Sequence, residues 1–505
     1  MTESSVSSRR AFLRLLGWSG MAGATLALPA CAEAPLRSPR PQARPGLAGL
    51  PAAQPATDIV NRARLGGTVG FAVIDMDSGR LLEDQNAQAA LPPASVAKAV
   101  TALYTREALG PSHRFTTRLM GTGAVSEGTL QGDLWLVGGG DPTLDTDALA
   151  AMAAALRARG VQRITGRFRV WGSALPHIAQ ITDDQPPQAG YNATVSGLNL
   201  NFNRVHFSWR RSGGGHAVAM DARSGTRQPA VSMAQMQIVN RRTPVYTYTN
   251  RDGLEQWTVA QPALGGSGAR WLPVRQPERY AADVFRTLAA AQGVTLPAGE
   301  PAPRTATPGG TVLAEHRSDP LDTLLRDMLR FSTNITAEAM GLAASIARGH
   351  APGNLRASAQ LMNGWAAQRY GLRTAGFTDH SGLGADAAVG MADLARFFAR
   401  SGAEGALPEL LRAHDMRDAS GNRIANHPLR VRAKTGTLHF VSALGGVVTA
   451  PGDRRLAFAI SAADLPRRAR IPEAQRERPE GGAAWTRRAR RMQQELIERW
   501  GAVHG

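Results

Sequence analysis

The sequence contains little cysteine and little lysine. Its 505 residues include one cysteine, Cys31, so an intrachain disulfide and a structural zinc site built from several cysteines are both excluded. Lysine and arginine together number 58, yet only Lys98 and Lys434 are lysines. Arginine stays protonated in proteins, whereas a buried lysine can lose its proton. The two lysines are therefore candidates for amine chemistry, and the alternative is that they survived by chance in an arginine-rich chain.

The sequence also lacks a long apolar run, and the apolar stretch near its start predicts export. Residues 15–30 are too few and too rich in glycine for a transmembrane helix. They follow paired arginines at 9–10, so residues 1–34 resemble a twin-arginine export signal and predict a periplasmic protein. Cys31 lies in a sequence that resembles a lipoprotein cleavage box. A lipid anchor on Cys31 and ordinary cleavage that leaves Cys31 unmodified are equally open alternatives.

The length of the chain predicts several domains. A chain of 505 residues is too long for one core, so roughly two or three domains are expected. Its net charge of +18 is compatible with an acidic partner or surface. Residues 35–55 are rich in proline, alanine and arginine and predict a linker. Residues 116–310 mix short strands with glycine and proline turns and predict one or two inserted domains.

The parts on either side of this insert carry clearer signals of secondary structure. Residues 68–74 and 80–83 predict a hairpin, and residues 95–108 predict a helix that begins at Ser95. The elements predicted near the other end are strands over 430–440, 441–450 and 455–463 and a basic amphipathic helix over 483–500.

Ser95 and Lys98 form the first of three short motifs, S-x-x-K. Residues three apart share one face of a helix, so these two side chains are expected to meet. A serine hydroxyl is a poor nucleophile until a base takes its proton, and a neutral lysine amine can be that base. The N-terminus of a helix also presents backbone N–H groups to a developing oxyanion. The motif alone is a weak signal, but here it uses one of the two lysines.

The other lysine begins the motif K-T-G. On an edge strand, Lys434, Thr435 and Gly436 would present a cation, a hydroxyl and a closely approaching backbone to a substrate that ends in a carboxylate. The alternative is a strand end with a stray lysine. Ser332 and Asn334 form S-x-N, which on its own is more often a helix cap. In the order S-x-x-K, S-x-N, K-T-G, the three motifs match the signature of penicillin-binding proteins and serine β-lactamases.

Motifs of other enzyme classes are missing from the sequence. It contains neither G-x-S-x-G nor H-E-x-x-H, which mark α/β-hydrolases and zinc peptidases. A P-loop needs a Gly-Lys pair, whereas both lysines follow alanine. Acyl transfer to a serine is therefore the favoured chemistry.

Over about residues 55–465, the sequence resembles the large-insert D-alanyl-D-alanine carboxypeptidases/endopeptidases of the penicillin-binding protein 4 type. Segments 132–143 and 196–201 look like motifs of that family's insert, and segments 318–321 and 379–383 fit the surroundings of S-x-N. The long gap between Ser95 and Ser332 also suits this family, and it is far too long for a class A β-lactamase.

This resemblance implies an α/β (α+β) fold. A transpeptidase/β-lactamase-like catalytic domain, with an antiparallel sheet flanked by helices, would comprise residues 55–115 and 311–505, and a mostly-β insert would comprise residues 116–310. It also implies a serine peptidase that acts on peptidoglycan stem peptides or cross-links and is acylated by β-lactam antibiotics. Neither an organic cofactor, a metal nor a nucleic acid is expected.

The resemblance further implies a role for each motif residue. The expected catalytic residues are Ser95 as the nucleophile, Lys98 as its base, Ser332 as a proton relay, Asn334 as the group that holds the substrate amide, and Lys434 as a source of positive potential. The expected substrate-binding residues are Thr435, Gly436 and Thr437, which face the terminal carboxylate of the substrate. Backbone N–H groups of Ser95 and Thr437 would form the oxyanion hole.

The sequence departs from the family pattern at a position that, in relatives, helps to bind the end of the substrate's side chain. Ala385 stands where relatives commonly have an arginine that helps to bind that end, so its recognition is left open. Asp141 is a candidate to receive an amino group there. His439 stands where relatives often have glutamine.

Two alternative functions remain open. A β-lactamase or esterase on the same fold would differ in how fast its acyl-enzyme hydrolyses. No spacing supplies a dedicated glutamate for that step, and Glu338 is expected on the helix after S-x-N instead. A peptidoglycan-binding protein without turnover could use the arginine-rich segment 464–491. The intact set of serines and lysines favours the enzyme.

Overall fold

The computed structural model describes residue 50 and residues 53–418 and 420–505. The predicted export signal, Cys31 and nearly all of the predicted linker lie outside the described residues. Within them, no helix combines the length and the apolar character needed to cross a membrane.

Helices and strands both contribute to the described fold. The α-helices are α1 (Ala56–Ala63), α2 (Ala97–Leu109), α3 (Thr146–Ala158), α4 (Pro277–Ala291), α5 (Leu321–Phe331), α6 (Asn334–Ala347), α7 (Leu355–Tyr370), α8 (Met391–Ala403), α9 (Ala406–Leu410), α10 (Leu465–Ala469) and α11 (Gly482–His504). The strands are β1 (Thr68–Asp75), β2 (Leu81–Gln85), β3 (Thr116–Gly121), β4 (Val125–Ser126), β5 (Thr129–Leu130), β6 (Leu134–Gly138), β7 (Arg163–Ile164), β8 (Phe168–Trp171), β9 (Arg204–Ser212), β10 (Gly215–Asp221), β11 (Ala234–Val239), β12 (Tyr246–Arg251), β13 (Leu254–Ala260), β14 (Ser267–Pro273), β15 (Gly299–Pro301), β16 (Thr311–Arg317), β17 (Arg430–Leu438), β18 (Val441–Thr449) and β19 (Arg455–Ala463).

One antiparallel sheet, with the strand order β17-β18-β19-β1-β2, lies between two layers of helices. Side chains alternate across β1, so Ala72 and Ile74 pack in the core shared with α2 and α8, while Phe71 and Val73 pack in the core shared with α1 and α11. Both faces of the sheet are therefore buried. The predicted mixed fold, with an antiparallel sheet flanked by helices, is confirmed.

The local predictions around this sheet are confirmed as well. The hairpin is β1 and β2, the three later strands are β17, β18 and β19, and the C-terminal helix is α11. The helix predicted from Ser95 begins as one 3-10 turn over Ala94–Val96 and continues as α2.

The inserted region between α2 and α5 is mostly β, as predicted. A second five-stranded sheet has the order β15-β8-β6-β3-β16, and three smaller sheets have three strands each. Helices α3 and α4, which the sequence analysis did not predict, pack against each other in the core of this region. Strand β16 pairs with β3, although residues 311–317 were assigned to the catalytic part. The division into domains stays a prediction, and this pairing favours a junction near Ser318.

Candidate active site

Ser95 lies where the short 3-10 turn leads into α2, and the edge strand β17 passes close to it. A Cβ atom at Gly436 would lie 3.0 Å from the backbone nitrogen of Ser95 and 2.6 Å from the carbonyl oxygen of Pro93. Ordinary side chains do not tolerate such contacts with backbone. Glycine at this position therefore lets the K-T-G strand approach the serine.

Lys98 is fully buried one helical turn after Ser95. Its Nζ donates hydrogen bonds to Oγ of Ser95 at 3.0 Å, Oδ1 of Asn334 at 2.7 Å and the carbonyl oxygen of Ser381 at 2.7 Å. Burial lowers the pKa of Lys98 to about 8, against the opposing effect of nearby carboxylates. An amine with this pKa can exist in the neutral form near physiological pH and accept the proton of Ser95.

Two buried carboxylates hold the loop that supplies the Ser381 carbonyl. Glu338, on α6, accepts the N–H groups of His380 at 2.9 Å and Ser381 at 2.8 Å. Asp379 shares the N–H group of Ser381 and accepts two more from glycines of the same loop. Burial and the neighbouring charge of Asp379 raise the pKa of Glu338 to about 8. Neither acid was predicted as a site residue, although both lie close to Lys98 and act on its pKa.

Ser332 follows the last residue of α5 and has a left-handed conformation, with φ of 59°. Its Oγ accepts a hydrogen bond of 2.9 Å from Nζ of Lys434, which also donates to the carbonyl oxygen of Thr435 at 2.7 Å. Burial, and then the positive charges of Lys98 and Arg412, hold the pKa of Lys434 well below its usual range. A left-handed serine is uncommon, and such strain is often found at functional sites.

Asn334, the first residue of α6, connects the site to the inserted region. Its Oδ1 accepts the bond from Lys98, and its Nδ2 donates to the carbonyl oxygen of Tyr191 at 3.0 Å. The Tyr191 side chain is half exposed and its hydroxyl donates to Gln185. Sequence reasoning missed Tyr191, because it belongs to no recognisable motif and reaches the site only through the fold.

A cavity of about 670 Å³ opens beside these groups. The lining residues from the three motifs are Ser95, Ser332, Asn334, Thr435 and Thr437. Other lining residues are Gln185 and Tyr191 from the inserted region, Gly382 and Leu383 from the loop after α7, and Leu438, His439, Arg468, Glu477 and Arg478 near the C-terminus. The structure thus brings the three motifs together at one cavity.

Asp141 is not among the residues that line this cavity. Its Oδ1 accepts hydrogen bonds from the backbone and the hydroxyl of Thr143, and its Oδ2 lies 3.6 Å from Nε2 of His316. The nearby carboxylate of Asp141 raises the pKa of His316. A role for Asp141 in binding an amino group stays a prediction. Ala385 is exposed, and His439 lies in the cavity wall.

These groups can perform acyl transfer without further assembly. A serine hydroxyl contacts a buried amine, a second amine contacts a second serine, and both serines face one cavity beside an edge strand. An arrangement of this kind suits acyl transfer, which needs a nucleophile, a base and a donor for the proton that a leaving amine takes. Among the described residues, no cluster of histidine, cysteine, aspartate or glutamate is suited to hold a metal ion.

Comparison with known proteins agrees with this chemistry. A family model described as D-Ala-D-Ala carboxypeptidase 3 (S13) matches residues 53–488. A D-alanyl-D-alanine carboxypeptidase of Actinomadura sp. strain R39 is 28% identical over 430 residues, which are 78% of this chain and 77% of the relative. The D-alanyl-D-alanine carboxypeptidase DacB of Haemophilus influenzae is 23% identical over 295 residues, or 56% of this chain and 60% of the relative.

A solved structure shows the same fold. Penicillin-binding protein 4 from Haemophilus influenzae has a TM-score of 0.71 at 18% identity, with 89% of this chain and 99% of that chain covered. The family match spans most of the sequence and all three motifs, so it confirms the resemblance drawn from them. The chain therefore belongs to the D-Ala-D-Ala carboxypeptidase 3 (S13) family.

Proposed function

We propose that this serine carboxypeptidase removes the terminal D-alanine of peptidoglycan stem peptides through an ester on Ser95. The observation that carries the proposal is the 3.0 Å hydrogen bond between Nζ of Lys98 and Oγ of Ser95, since burial lowers the pKa of that lysine to about 8. A neutral amine in this position can take the hydroxyl proton as the serine attacks. The carboxypeptidases that the chain resembles support the choice of substrate.

In the acylation step, Lys98 takes the proton of Ser95 while Oγ bonds to the carbonyl carbon of the penultimate D-alanine. The negative charge that develops on the carbonyl oxygen is met by the backbone N–H groups of Ser95 and Thr437. Ser332, hydrogen-bonded to Lys434, passes its proton to the leaving amine as the C–N bond breaks. The proton that Lys98 took from Ser95 restores the Ser332 hydroxyl. Water then attacks the ester and gives a proton to the neutral Lys98, which returns it to Oγ of Ser95 as the ester C–O bond breaks and the shortened peptide leaves.

The terminal carboxylate of the substrate is assigned to the K-T-G strand. Thr435 and Thr437 line the cavity and offer hydroxyl donors, and Lys434 lies buried next to them. Positive charge at Lys434 is disfavoured by burial and by its cationic neighbours. A bound carboxylate would raise the pKa of Lys434 and stabilise its charge, because opposite charges favour the ionised form.

The same site would be acylated by β-lactam antibiotics, and the protein would act in the periplasm. Penicillin-binding protein 4 of Haemophilus influenzae has been crystallised in complex with a novel β-lactam, which supports the first point. Cleavage of peptidoglycan supports the second, since this polymer lies outside the cytoplasmic membrane. Export by a twin-arginine signal is part of the proposal, with Cys31 either lipidated or left unmodified by ordinary cleavage. The proposal also includes a catalytic domain that resumes near Ser318, after the inserted region.

The first experiment measures the intact mass of the purified protein after exposure to a labelled penicillin, beside Ser95→Ala. We expect one adduct per molecule in the wild type and none in the variant, because only Ser95 has the adjacent base. Folding of both proteins is checked by thermal melting. A folded wild type that forms no adduct, or an equal adduct on Ser95→Ala, would reject the proposed nucleophile.

The lifetime of the adduct separates a peptidase from the β-lactamase alternative. A β-lactamase needs a base that activates water against the ester. Glu338 does not line the cavity, and both of its oxygens accept backbone N–H groups. We therefore expect a persistent adduct, and rapid return to the unmodified mass would favour the β-lactamase.

A further inference from the structure

One wall of the cavity contains a partly buried arginine, Arg468. It lies on α10, and its guanidinium donates a hydrogen bond of 3.2 Å to the carbonyl oxygen of His439. Burial lowers the pKa of Arg468, and the negative charges of Asp184 and Tyr191 oppose that shift. This cation is therefore poorly hydrated and lies beside the space that a substrate would fill.

Arg468 has no carboxylate partner among the described residues. Glu477, the acid that lines the cavity, accepts hydrogen bonds from Arg270 at 3.2 Å and from Gln188 at 2.9 Å. Asp184 is exposed and does not come within ion-pair distance of Arg468. A partly desolvated cation without a counter-charge is destabilising, because no ion pair offsets its desolvation. The missing partner can be an anionic group of a ligand.

The contact of Arg468 with His439, just past the end of β17, indicates which part of a substrate it meets. Gly436 lies next to Ser95, the strand ends two residues later, roughly 7 Å at the rise of a strand, and His439 follows in the turn. Lys434, proposed for the terminal carboxylate, precedes Gly436 on the strand. The leaving part of a carboxypeptidase substrate is a single residue, so it is too short to reach Arg468. The acyl part of the substrate must fill this end of the cavity.

We propose that Arg468 binds a carboxylate in the acyl part of the substrate, two or three residues before the cleaved bond. The inference rests on the proposed function and adds a specificity for acidic donor peptides to it. A guanidinium fork suits a carboxylate, with which it can form two parallel hydrogen bonds. Arg478 also lines the cavity and adds positive potential on the same side.

The test uses peptides that end in D-alanyl-D-alanine and carry a carboxylate two or three residues before the cleaved bond, each beside its carboxamide counterpart. We expect the wild type to prefer one of the acids by about tenfold in kcat/KM, as charge-assisted hydrogen bonds predict. In Arg468→Gln the acid-to-amide ratio should fall close to one. Arg468→Lys should retain part of the preference, since it keeps the charge and loses the fork.

Arg470→Gln is the matched control. Arg470 lies just after α10, donates to the carbonyl oxygen of Pro466 and does not line the cavity. This variant loses the same charge, so its acid-to-amide ratio should equal that of the wild type. An equal loss of the ratio in both variants would assign the preference to net charge and overturn the site at Arg468.

Labelling of Ser95 by penicillin distinguishes the two ways in which the idea can fail. A wild type that labels fully but treats acid and amide peptides alike overturns the role of Arg468 and leaves the proposed function intact. Failure to label and to cleave any of the peptides overturns the proposed function and this inference with it. Full labelling of Arg468→Gln shows that the variant is folded, so its loss of preference counts.

Discussion

The two lysines of this protein are buried alike but lie among opposite charges. Lys98 lies near Glu338 and Asp379, whose negative charges oppose the effect of burial on its pKa. Lys434 lies near Lys98 and Arg412, whose positive charges add to the effect of burial on its pKa. The protein itself therefore sets the proton affinity of Lys98, whereas charge on Lys434 depends on an anion that a substrate brings. This difference fits a base at one lysine and a carboxylate receptor at the other.

The largest expected effect separates the two lysines most clearly. Lys98→Met removes the proposed base, so acylation of Ser95 by a labelled penicillin should slow by roughly a thousandfold, as is typical for loss of a general base. Cleavage should fall equally for peptides with a free terminal carboxylate and for peptides with a terminal amide. Thermal melting checks the fold, and a folded variant that keeps a tenth of the wild-type rate would contradict the role.

Lys434→Met should have a smaller and more selective effect. For peptides with a free terminal carboxylate, kcat/KM should fall by about ten- to hundredfold, the range expected for a lost charge-assisted hydrogen bond. Peptides with a terminal amide should lose much less, because they bring no charge for Lys434 to meet. Equal losses on both kinds of peptide would show that the lysine does not act through the carboxylate.

The parts of this site that the sequence predicts are those carried by short motifs. Ser95 and Lys98 share a helical face, so their contact follows from local geometry. Tyr191 was missed because a backbone carbonyl reaches Asn334 only through the fold. Glu338 was expected on its helix, but its task of holding backbone N–H groups beside Lys98 depends on a loop distant in sequence.

The fold shows a similar division between local and distant information. The hairpin of β1 and β2 and the strands β17 to β19 have clear turns and alternation, and they were predicted. Helix α3 was missed although its signal is local, since Asp145 caps an alanine-rich run by accepting the N–H group of Ala148. The pairing of β16 with β3 joins segments that are far apart in the chain, and no periodicity within either segment reveals it.

The comparison of the lysines can be sharpened by removing an acid near Lys98. The pKa of Glu338 is itself raised to about 8, so near that pH part of its population is ionised and stabilises protonated Lys98. Glu338→Gln removes this charge and should lower the pKa of Lys98 further in this range. The rise of the acylation rate with pH should therefore move below the wild-type position near pH 8, where the pKa of Lys98 lies.

The pH profile of penicillin acylation measures this shift. The glutamine amide also loses one backbone acceptor, so the free energy of unfolding should fall by about 1–3 kcal/mol. A profile that stays in place would mean that Glu338 is uncharged over the measured range. A move to higher pH would contradict the direction of the argument.

The smallest expected effect concerns Arg412, one of the two cations that lower the pKa of Lys434. Its carbonyl oxygen accepts the N–H group of Ala433, next to Lys434, while its side chain is exposed. Removing this like charge in Arg412→Gln should raise the pKa of Lys434 slightly. The lysine would then stay protonated to higher pH, and KM for a free-carboxylate peptide on the alkaline side should fall by about twofold.

The effect of Arg412→Gln should shrink at high salt, because exposed charges are screened. Arg326→Gln, an exposed arginine on α5 that does not act on the pKa of Lys434, is the matched control. If both variants shift KM alike, or if salt leaves the Arg412 effect unchanged, the cationic surroundings of Lys434 do not set its charge.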